Sequence, residues 1–387
     1  MAYRYDLYDS VRQIDAADWS SLHDAEDDPL MDRRFFVAVE RSMADSCRLW
    51  HVVFRDPRER PVASACLCLY RLDLALVAGG WARKAVSLLA RAVPRLTQVR
   101  LLCCGLPASG QDHLTLSPEA DSVAVLRMLD QLVLQIAAEH GARCVAIGQS
   151  DAAKSPRLEG LKELGYSRFP MPPTNLAGAG HGDFEDYLSS LKCRKRRHVR
   201  RSQRKFGDSG FRVVHLTGGE GAGRIFSDEV YRLYEAVYER APMRLAKMPA
   251  AFFREAAAQM PDRTAFTFVY EGDRVVAFSF SVFSDTIFRA MYAGFDYDLN
   301  PANDLYFNLM FHTLDNGYRL GASEIYMGQT SDTFKRRRLS CYQRPLFLYA
   351  KGTRPLASRI IRSRLSRIAS ARDDQDEPRA AESPEEE

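Results

Sequence analysis

Alternation of apolar and polar residues predicts a series of β-strands in the second half of the chain. Residues 264–271, 274–284 and 286–295 alternate with a period of two, and short turns containing Gly or Asp separate them, which predicts a meander of three strands. A helix is predicted from about residue 304 to 319, with Gly321 as its C-terminal stop. After it we predict a strand at 323–328, a short helix at 331–340 and a closing strand at 342–351.

The first half of the chain has the same order of elements. Strands are predicted at 47–54, 60–72, 99–106, 142–149 and 166–177, a long helix at 120–141 and a short one at 155–165. Helices precede the strands at 31–43 in the first half and at 222–241 and 249–260 in the second. This repeated order predicts an α/β (α+β) architecture of two tandem modules, each a mixed, mostly antiparallel sheet flanked by helices.

The predicted modules span residues 1–176, with an insert at 79–96, and 177–353. A basic amphipathic helix at 354–372 and an acidic tail at 373–387 complete the predicted organisation. The tail holds eight acidic residues against one Arg and is predicted to be disordered. The formal net charge of the chain is +4 and that of the tail is −7, so the preceding 372 residues carry +11. This excess of positive charge favours an anionic partner.

Several classes of protein are not favoured by the sequence. No run approaches the roughly 18 apolar residues of a membrane-spanning helix, and the first thirty residues lack the apolar core of a signal peptide. The eight cysteines lie mostly in apolar runs, without metal-ligand spacing. We therefore expect a cytoplasmic protein with reduced thiols and no metal site.

The segments 79–96 and 354–372 combine regularly spaced arginines with apolar residues at helical spacing. Such helices bind anionic membrane surfaces, where each cation contributes about 1 kcal/mol. The alternative is that both helices pack on their own protein with the arginines in water. The membrane interpretation predicts a peripheral location at the inner membrane.

Nine Lys or Arg residues lie in the fourteen positions 192–205. This run is predicted to be a helix, and Arg194, Arg197 and Arg201 are candidates for binding an anionic headgroup, carrier phosphate or cofactor. No aromatic residue interrupts it before Phe206, so base stacking is poorly supported. A tRNA is the less favoured alternative, because backbone-dominated binding needs only positive charge, and DNA is not expected.

Four stretches resemble the Fem-like acyltransferases in their order along the chain. They are "DFEDYLSSLKCRKRRHVRRSQRKFG", "YAGFDYDLNPANDLYFNLM", "EIYMGQTSDTFKRRRLSC" and "PLFLYAK". The resemblance implies tandem GNAT folds and acyl transfer from a thioester or ester to an amine. "LLCCGLPASGQDHL", with the basic insert before it, resembles the bacterial ceramide synthase-type N-acyltransferases, which implies a sphingoid base or similar amino-lipid as acceptor.

One segment departs from ordinary GNAT enzymes. Their phosphate-binding Gln/Arg-x-x-Gly-x-Gly/Ala loop is replaced here by "DYDLNPAND", in which Asp304 would oppose a pyrophosphate. Backbone N–H groups at a helix start still bind anions, so Asn303, Leu305 and Tyr306 are the candidate residues for binding the donor. We expect acyl-CoA or an acyl carrier protein thioester as donor substrate, and no permanent cofactor.

Four residues are candidates for catalysis: Asp296, Tyr292, His113 and Lys335. In the Fem-like family the lysine of this segment contacts anionic substrate groups, so Lys335 is expected to stabilise negative charge unless it is simply a solvated helix lysine. Asp296 is a candidate base at the mouth of the strand that carries Tyr292, with a turn-capping role as the alternative. His113 follows a Gly-rich turn and is a candidate proton shuttle.

Three further positions are candidates for lining the substrate cleft. They are Gly294, which lies between Tyr292 and Asp296, and the alternating pair Glu324 and Tyr326. The leading hypothesis is a fatty N-acyltransferase acting on an amino-lipid. Its alternatives are an aminoacyl-tRNA-dependent peptide ligase and a non-catalytic membrane adaptor.

Overall fold

A computed structural model describes residues 3–23, 27–73, 98–151, 153–178, 180–241, 246–329 and 332–354. The predicted insert at 79–96, the predicted helix at 354–372 beyond its first residue, and the acidic tail at 373–387 lie outside these residues.

One sheet runs through the described part of both halves. Its strands are β1 (Arg4–Tyr8), β2 (Cys47–Arg55), β3 (Pro61–Asp73), β4 (Gln98–Cys104), β5 (Leu114–Leu116), β6 (Cys144–Asp151), β7 (Ser167–Ala177), β8 (Arg212–Thr217), β9 (Thr264–Glu271), β10 (Arg274–Phe283), β11 (Ile287–Phe295), β12 (Glu324–Tyr326) and β13 (Tyr342–Gly352). Their order is β1-β2-β3-β4-β6-β13-β7-β12-β11-β10-β9-β8, with β5 paired to β3. Most neighbours are antiparallel, but β4–β6 and β11–β12 are parallel.

The helices flank this sheet on both faces. They are α1 (Ala16–His23), α2 (Arg33–Met43), α3 (Ser122–His140), α4 (Ser155–Leu158), α5 (Gly160–Glu163), α6 (Phe184–Ser190), α7 (Cys193–Gly207), α8 (Glu220–Ile225), α9 (Asp228–Arg240), α10 (Ala250–Gln259), α11 (Asn300–Asn303), α12 (Leu305–Arg319) and α13 (Asp332–Arg338). Capping residues determine where these helices begin and end. The Asp121 side chain accepts hydrogen bonds from the N–H groups of Val123 and Ala124 at the start of α3, and Gly141 ends α3 in the left-handed conformation at φ 66°.

The closing strands of the two halves are exchanged at the centre of the sheet. β13 pairs with β6 of the first half, and β7 pairs with β12 of the second half. The two modules therefore share a sheet, and the predicted boundary after residue 176 falls within the last residues of β7. The predicted meander is confirmed as β9, β10 and β11.

Apolar cores lie on both faces of the sheet. On the first face, α1 and α2 pack with α8–α10 in a phenylalanine-rich core that joins the two halves. On the second face, α3–α5 cover the first half, and α6, α7, α12 and α13 cover the second. Burial of large aromatic side chains supplies most of the favourable free energy of such a core.

Candidate active site

The parallel strands β11 and β12 separate soon after they meet. They pair only from Ile287 to Arg289 and from Glu324 to Tyr326. β12 ends there, whereas β11 continues along β10 to Phe295 past a bulge. The β11–β12 ladder therefore opens at the carboxyl ends of the two strands, and this end of the ladder is called the opening below. The carboxyl ends of parallel strands are a common place for ligands.

The corresponding place in the first half is closed. β4 and β6 pair up to Cys104 and Ile147, and Gln111 then bridges to Gln149. Gly105 and Gly148 make room for this, since a Cβ at either position would collide with the Gln111 carbonyl oxygen. In the described part of the chain, only the second half has its parallel pair open in this way.

Lys335 lies at the open end of the second half. It belongs to α13 on the second face of the sheet, and only 2% of it is exposed. A Cβ added at Gly328 would lie 3.7 Å from the Lys335 Nζ atom and 3.6 Å from the Ala290 carbonyl oxygen. Burial removes the alternative of a simply solvated lysine, while the catalytic role of Lys335 stays a prediction.

A Gly-Gln pair lies near the carboxyl end of each of the equivalent strands, within β6 as Gly148-Gln149 and just after β12 as Gly328-Gln329. The Gln329 side-chain N–H groups donate to the Gln149 side-chain oxygen Oε1 and to the Pro172 backbone carbonyl, the latter at 2.9 Å. A lysine follows each pair within six positions, at Lys154 and Lys335. This repeated signal was present in the sequence, and it identifies two glutamines that pattern reasoning missed.

Lys154 differs from Lys335 in its surroundings. Its Nζ lies 3.7 Å from the buried carboxylate of Asp112, and its side chain is 43% exposed. Asp112 also accepts from the Ser150 hydroxyl. In the closed half the lysine is therefore paired with a buried carboxylate of the protein.

Tyr292 connects the opening to the first half. Its hydroxyl donates to Ala108 O at 2.5 Å, and its ring packs among those of Tyr234, Phe252 and Phe253. Burial raises the pKa of Tyr292 well above its ordinary value. The neutral hydroxyl holds the segment around Ala108 beside the opening, and it is not a base near neutral pH.

The structure corrects the predictions for Gly294 and Asp296. A Cβ at Gly294 would lie 2.5 Å from Tyr234 N on α9. The missing side chain therefore allows the backbone of α9 to pack directly on β11, and no space is left there for a substrate. Asp296 accepts from Asp298 N at 3.0 Å and from the Arg274 guanidinium at 3.3 Å. These contacts are those of a turn-capping aspartate, the alternative to the base hypothesis.

His113 is also corrected. The side chain is 1% exposed and sits at φ 43°, with Nε2 2.5 Å from the Ser109 hydroxyl and Nδ1 3.3 Å from Met31 Sδ. Burial lowers the pKa of His113 to about 3. The imidazole stays neutral near pH 7 and is enclosed by protein, so it does not exchange protons with a substrate there.

Glu324 and Tyr326 come together on the first face of the sheet. The Tyr326 hydroxyl donates to Glu324 at 2.8 Å and accepts from Arg344 at 2.6 Å. The Arg289 guanidinium lies 3.9 Å from the Tyr326 ring centroid. Burial raises the pKa of Tyr326 to about 12. The sequence alone did not indicate that Arg289 and Arg344 lie beside Tyr326, because the neighbours of their strands are determined by pairing between distant segments.

Asp28 pairs with Arg289 at 2.9 Å. Burial opposes the charge of Asp28, but the Arg289 guanidinium and the Leu30 N–H outweigh it, so the pKa of Asp28 lies below its ordinary value. This pair ties the first-half segment before α2 to β11. A buried ion pair that loses one partner leaves an uncompensated charge.

Replacing Asp28 by asparagine is expected to lower the free energy of unfolding by about 3 kcal/mol. The folded pKa is depressed, so the wild-type carboxylate contributes stability above about pH 4 and loses it as pH falls through the folded pKa. Urea denaturation at several pH values should show a shallower acid limb in the variant. Asp262→Asn, at an exposed pair with Arg34, is the control, with an effect under about 1 kcal/mol. Equal acid slopes in D28N and wild type would assign the titration to another group.

The start of α12 is occupied by internal contacts. Asp304 sits at φ 50° and accepts from Lys205 at 3.0 Å. The Tyr306 N–H donates to Asn300 Oδ1 at 2.8 Å, Asn303 donates to Leu299 O at 3.0 Å, and Leu305 is buried. This corrects the prediction that Asn303 and Tyr306 bind the donor, because the Tyr306 N–H and the Asn303 amide already bond within the chain. The role of Leu305 stays a prediction.

Arg194, Arg197 and Arg201 lie exposed on α7. α7 buries Val199, Ser202 and Phe206, so the arginines form the outer side of a packed helix. Among the described residues, no cluster of His, Cys, Asp and Glu is suited to hold a metal ion. None of the described helices is long and apolar enough to cross a membrane.

Comparisons with known proteins agree with this architecture. Residues 10–317 match the FemAB-like family, described as peptidoglycan biosynthesis/recognition. No curated protein matches the sequence significantly.

Three solved structures illustrate the shared fold. A tandem GNAT protein of clavulanic acid biosynthesis is 11% identical and covers 91% of this chain and 99% of its own, with a TM-score of 0.53. The C-terminal domain of a protein described as a lysylphosphatidylglycerol synthetase, from Agrobacterium fabrum, is 12% identical with a TM-score of 0.52, covering 92% and 98%. N-myristoyltransferase of Saccharomyces cerevisiae with bound myristoyl-CoA is 10% identical with a TM-score of 0.53, covering 90% and 80%.

The family match covers most of the chain, and the fold is the tandem GNAT arrangement. The chain belongs to the FemAB-like family.

Proposed function

We propose that this enzyme moves a fatty acyl group from a thioester donor to the amine of a lipid such as a sphingoid base, at an anionic membrane surface. The observation that carries the proposal is the buried Lys335 ammonium at the opening between β11 and β12. A charge held in a water-poor site stabilises a developing oxyanion or a donor phosphate more strongly than it would in water.

The opening has different chemistry on the two faces of the sheet. Lys335 approaches from the second face, with α7 and α12. Arg289 and Tyr326 lie on the first face, since Arg289 is opposite Val282 of the phenylalanine-rich core. A donor entering from the second face and an acceptor from the first would meet between the two strands.

The reaction needs few protein groups. The neutral amine attacks the thioester carbonyl, the C–N bond forms, and the C–S bond breaks. The proton lost by the amine passes to the leaving thiolate. The Glu324 carboxylate, hydrogen-bonded to Tyr326, is the candidate to accept this proton first.

Two fold relatives support the substrate classes. One is a structure with bound myristoyl-CoA and the other a protein described as a lysylphosphatidylglycerol synthetase, so the fold is compatible with a fatty acyl thioester and with a lipid acceptor. The segments 79–96 and 354–372 supply the proposed contact with anionic lipid. The family description, peptidoglycan biosynthesis/recognition, instead fits the alternative of an aminoacyl-tRNA-dependent ligase acting on a peptidoglycan precursor.

Purified full-length protein should form an amide only when a long-chain acyl thioester and an amino-lipid are both supplied in anionic vesicles. Mass spectrometry of the extracted lipid measures the product, and ribonuclease should leave its yield unchanged. Activity that requires aminoacyl-tRNA and disappears with ribonuclease would establish the ligase instead. Untargeted lipid profiling of a deletion strain against its parent tests the same proposal in cells.

A further inference from the structure

Positive charge on the second face is distributed unevenly around α7. Two cations at the edges of the exposed face are neutralised within the chain: Arg200 pairs with Glu185, and Lys205 with Asp304. Between these edges α7 carries arginines at spacings of three and four residues, and α13, which packs on α7, carries two more. We name this set the α7–α13 cationic surface; it consists of Arg194, Arg197, Arg201 and Arg204 with Arg336 and Arg337.

The α7–α13 cationic surface is built from two helices that are fixed to each other. Lys195 Nζ donates to Ser340 Oγ at 2.8 Å and to Arg336 O at 3.3 Å. His198 lies within the surface, and partial burial together with Arg338 and the α7 arginines lowers its pKa. No carboxylate of the described residues forms an ion pair with these arginines. Within the described part of the chain, the surface therefore presents a concentration of positive charge that no carboxylate pairs with.

The location of this surface connects it to the donor. α13 carries Arg336 and Arg337 next to Lys335, whose ammonium lies at the opening between β11 and β12. The start of α12 is occupied by the Lys205–Asp304 contact, so the anionic donor needs its contacts elsewhere on this face. A partner on the α7–α13 cationic surface sits beside the entrance used by the thioester.

The size and composition of the surface narrow the choice of partner. From residue 194 to 204 it extends about 15 Å along α7, which is longer than one pyrophosphate. Its apolar residues Val199 and Phe206 are buried, so α7 offers no apolar side chain for insertion into a lipid interface. Nor does α7 expose a Phe, Tyr or Trp ring for base stacking. Regularly spaced guanidinium groups fit carboxylates on an acidic protein surface.

We propose that the α7–α13 cationic surface is the docking site of an acidic acyl carrier protein, which presents its thioester-bearing arm to the opening beside Lys335. This inference rests on the proposed function for the identity of the cargo. The docking surface can be tested separately, because carrier binding and amide formation are independent readouts.

The test compares wild type with the charge-reversed variant Arg194→Glu/Arg197→Glu/Arg201→Glu. We expect holo acyl carrier protein to bind this variant at least about tenfold more weakly, with wild-type binding falling as salt is raised. The kcat/KM with acyl carrier protein should fall in parallel, whereas kcat/KM with an acyl-pantetheine thioester should stay unchanged. Arg12→Glu/Arg58→Glu/Arg127→Glu, at exposed first-half positions, is the charge-matched control and should behave as wild type.

Each contrary outcome has its own meaning. Equal carrier binding by wild type and variant overturns the docking proposal, as does an equal loss with acyl-CoA, which would assign the surface to cofactor phosphates. Loss of binding to phosphatidylglycerol vesicles or to tRNA, with carrier use intact, assigns the surface to membrane or nucleic acid. Carrier binding without amide formation from any thioester would refute the proposed function and leave docking supported.

Discussion

Replacing Lys335 by methionine is expected to lower kcat/KM by about 100- to 1,000-fold, the range found when one preorganised donor is removed from an oxyanion site. The substitution removes the ammonium whose Nζ lies 3.7 Å from the Cβ position of Gly328. If the charge acts on the oxyanion, kcat falls; if it binds donor phosphate, KM rises. Steady-state amide formation, measured at saturating and limiting donor, separates the two.

The equivalent lysine of the closed half provides the matched control. Lys154→Met removes a positive charge at the same place in the fold, but that lysine faces Asp112 and the closed pair β4–β6. We expect activity close to wild type from K154M. Because Lys335 is buried, circular dichroism and thermal unfolding should accompany the assay. A folded K335M protein with wild-type kcat/KM would remove Lys335 from the mechanism.

The order of elements was predictable because local periodicity determines it. Residues 264–271 were predicted as a strand and form β9 with the same limits, and Gly141 ends α3 in the left-handed conformation as expected. The helix predicted at 222–241 is instead two helices, since Ser227 caps a new start for α9. β1 and β5 have only five and three residues, too few for an alternation of period two to stand out from the surrounding sequence.

The exchange of β7 and β13 could not be predicted in the same way. An alternating strand has the same pattern whichever neighbour it pairs with, and the choice between β6 and β12 depends on contacts far along the chain. This exchange brings Arg344 of β13 next to Tyr326 of β12. The polar cluster at the sheet centre was therefore not visible in sequence order.

The candidate site was predicted only where segment order carried the information. Lys335 was placed near the end of a strand by its position after Gly328, and the structure has it there. His113 and Asp296 were chosen for their residue type beside a turn, which does not distinguish a reactive side chain from a capping or buried one. Their partners, Ser109 and Arg274, decide that question.

The structural difference between the halves also has a functional consequence. Both contain a parallel pair followed by Gly-Gln and a lysine, yet Gln111 closes the first pair and the second stays open. Two copies of one supersecondary unit therefore provide one opening. The first half contributes the segment that contacts Tyr292 through Ala108, so the opening depends on both halves being in place.

Replacing Gly294 by alanine is expected to lower the free energy of unfolding by about 3 kcal/mol. The new Cβ would lie 2.5 Å from Tyr234 N and 2.6 Å from Leu233 C. These are backbone atoms of α9, so rotating a side chain cannot relieve the contact, and the helix must move away from β11. Equilibrium urea denaturation measures the loss.

Gly207→Ala, with no heavy atom within 4 Å of its Cβ position, is the control and should leave stability unchanged or raise it by up to about 1 kcal/mol. Because displacement of α9 also shifts the Tyr234 ring that packs on Tyr292, G294A should lose activity even in the fraction that remains folded. Wild-type stability and activity in G294A would show that the packing of α9 on β11 tolerates a side chain, and Gly294 would return as a candidate for lining the substrate cleft.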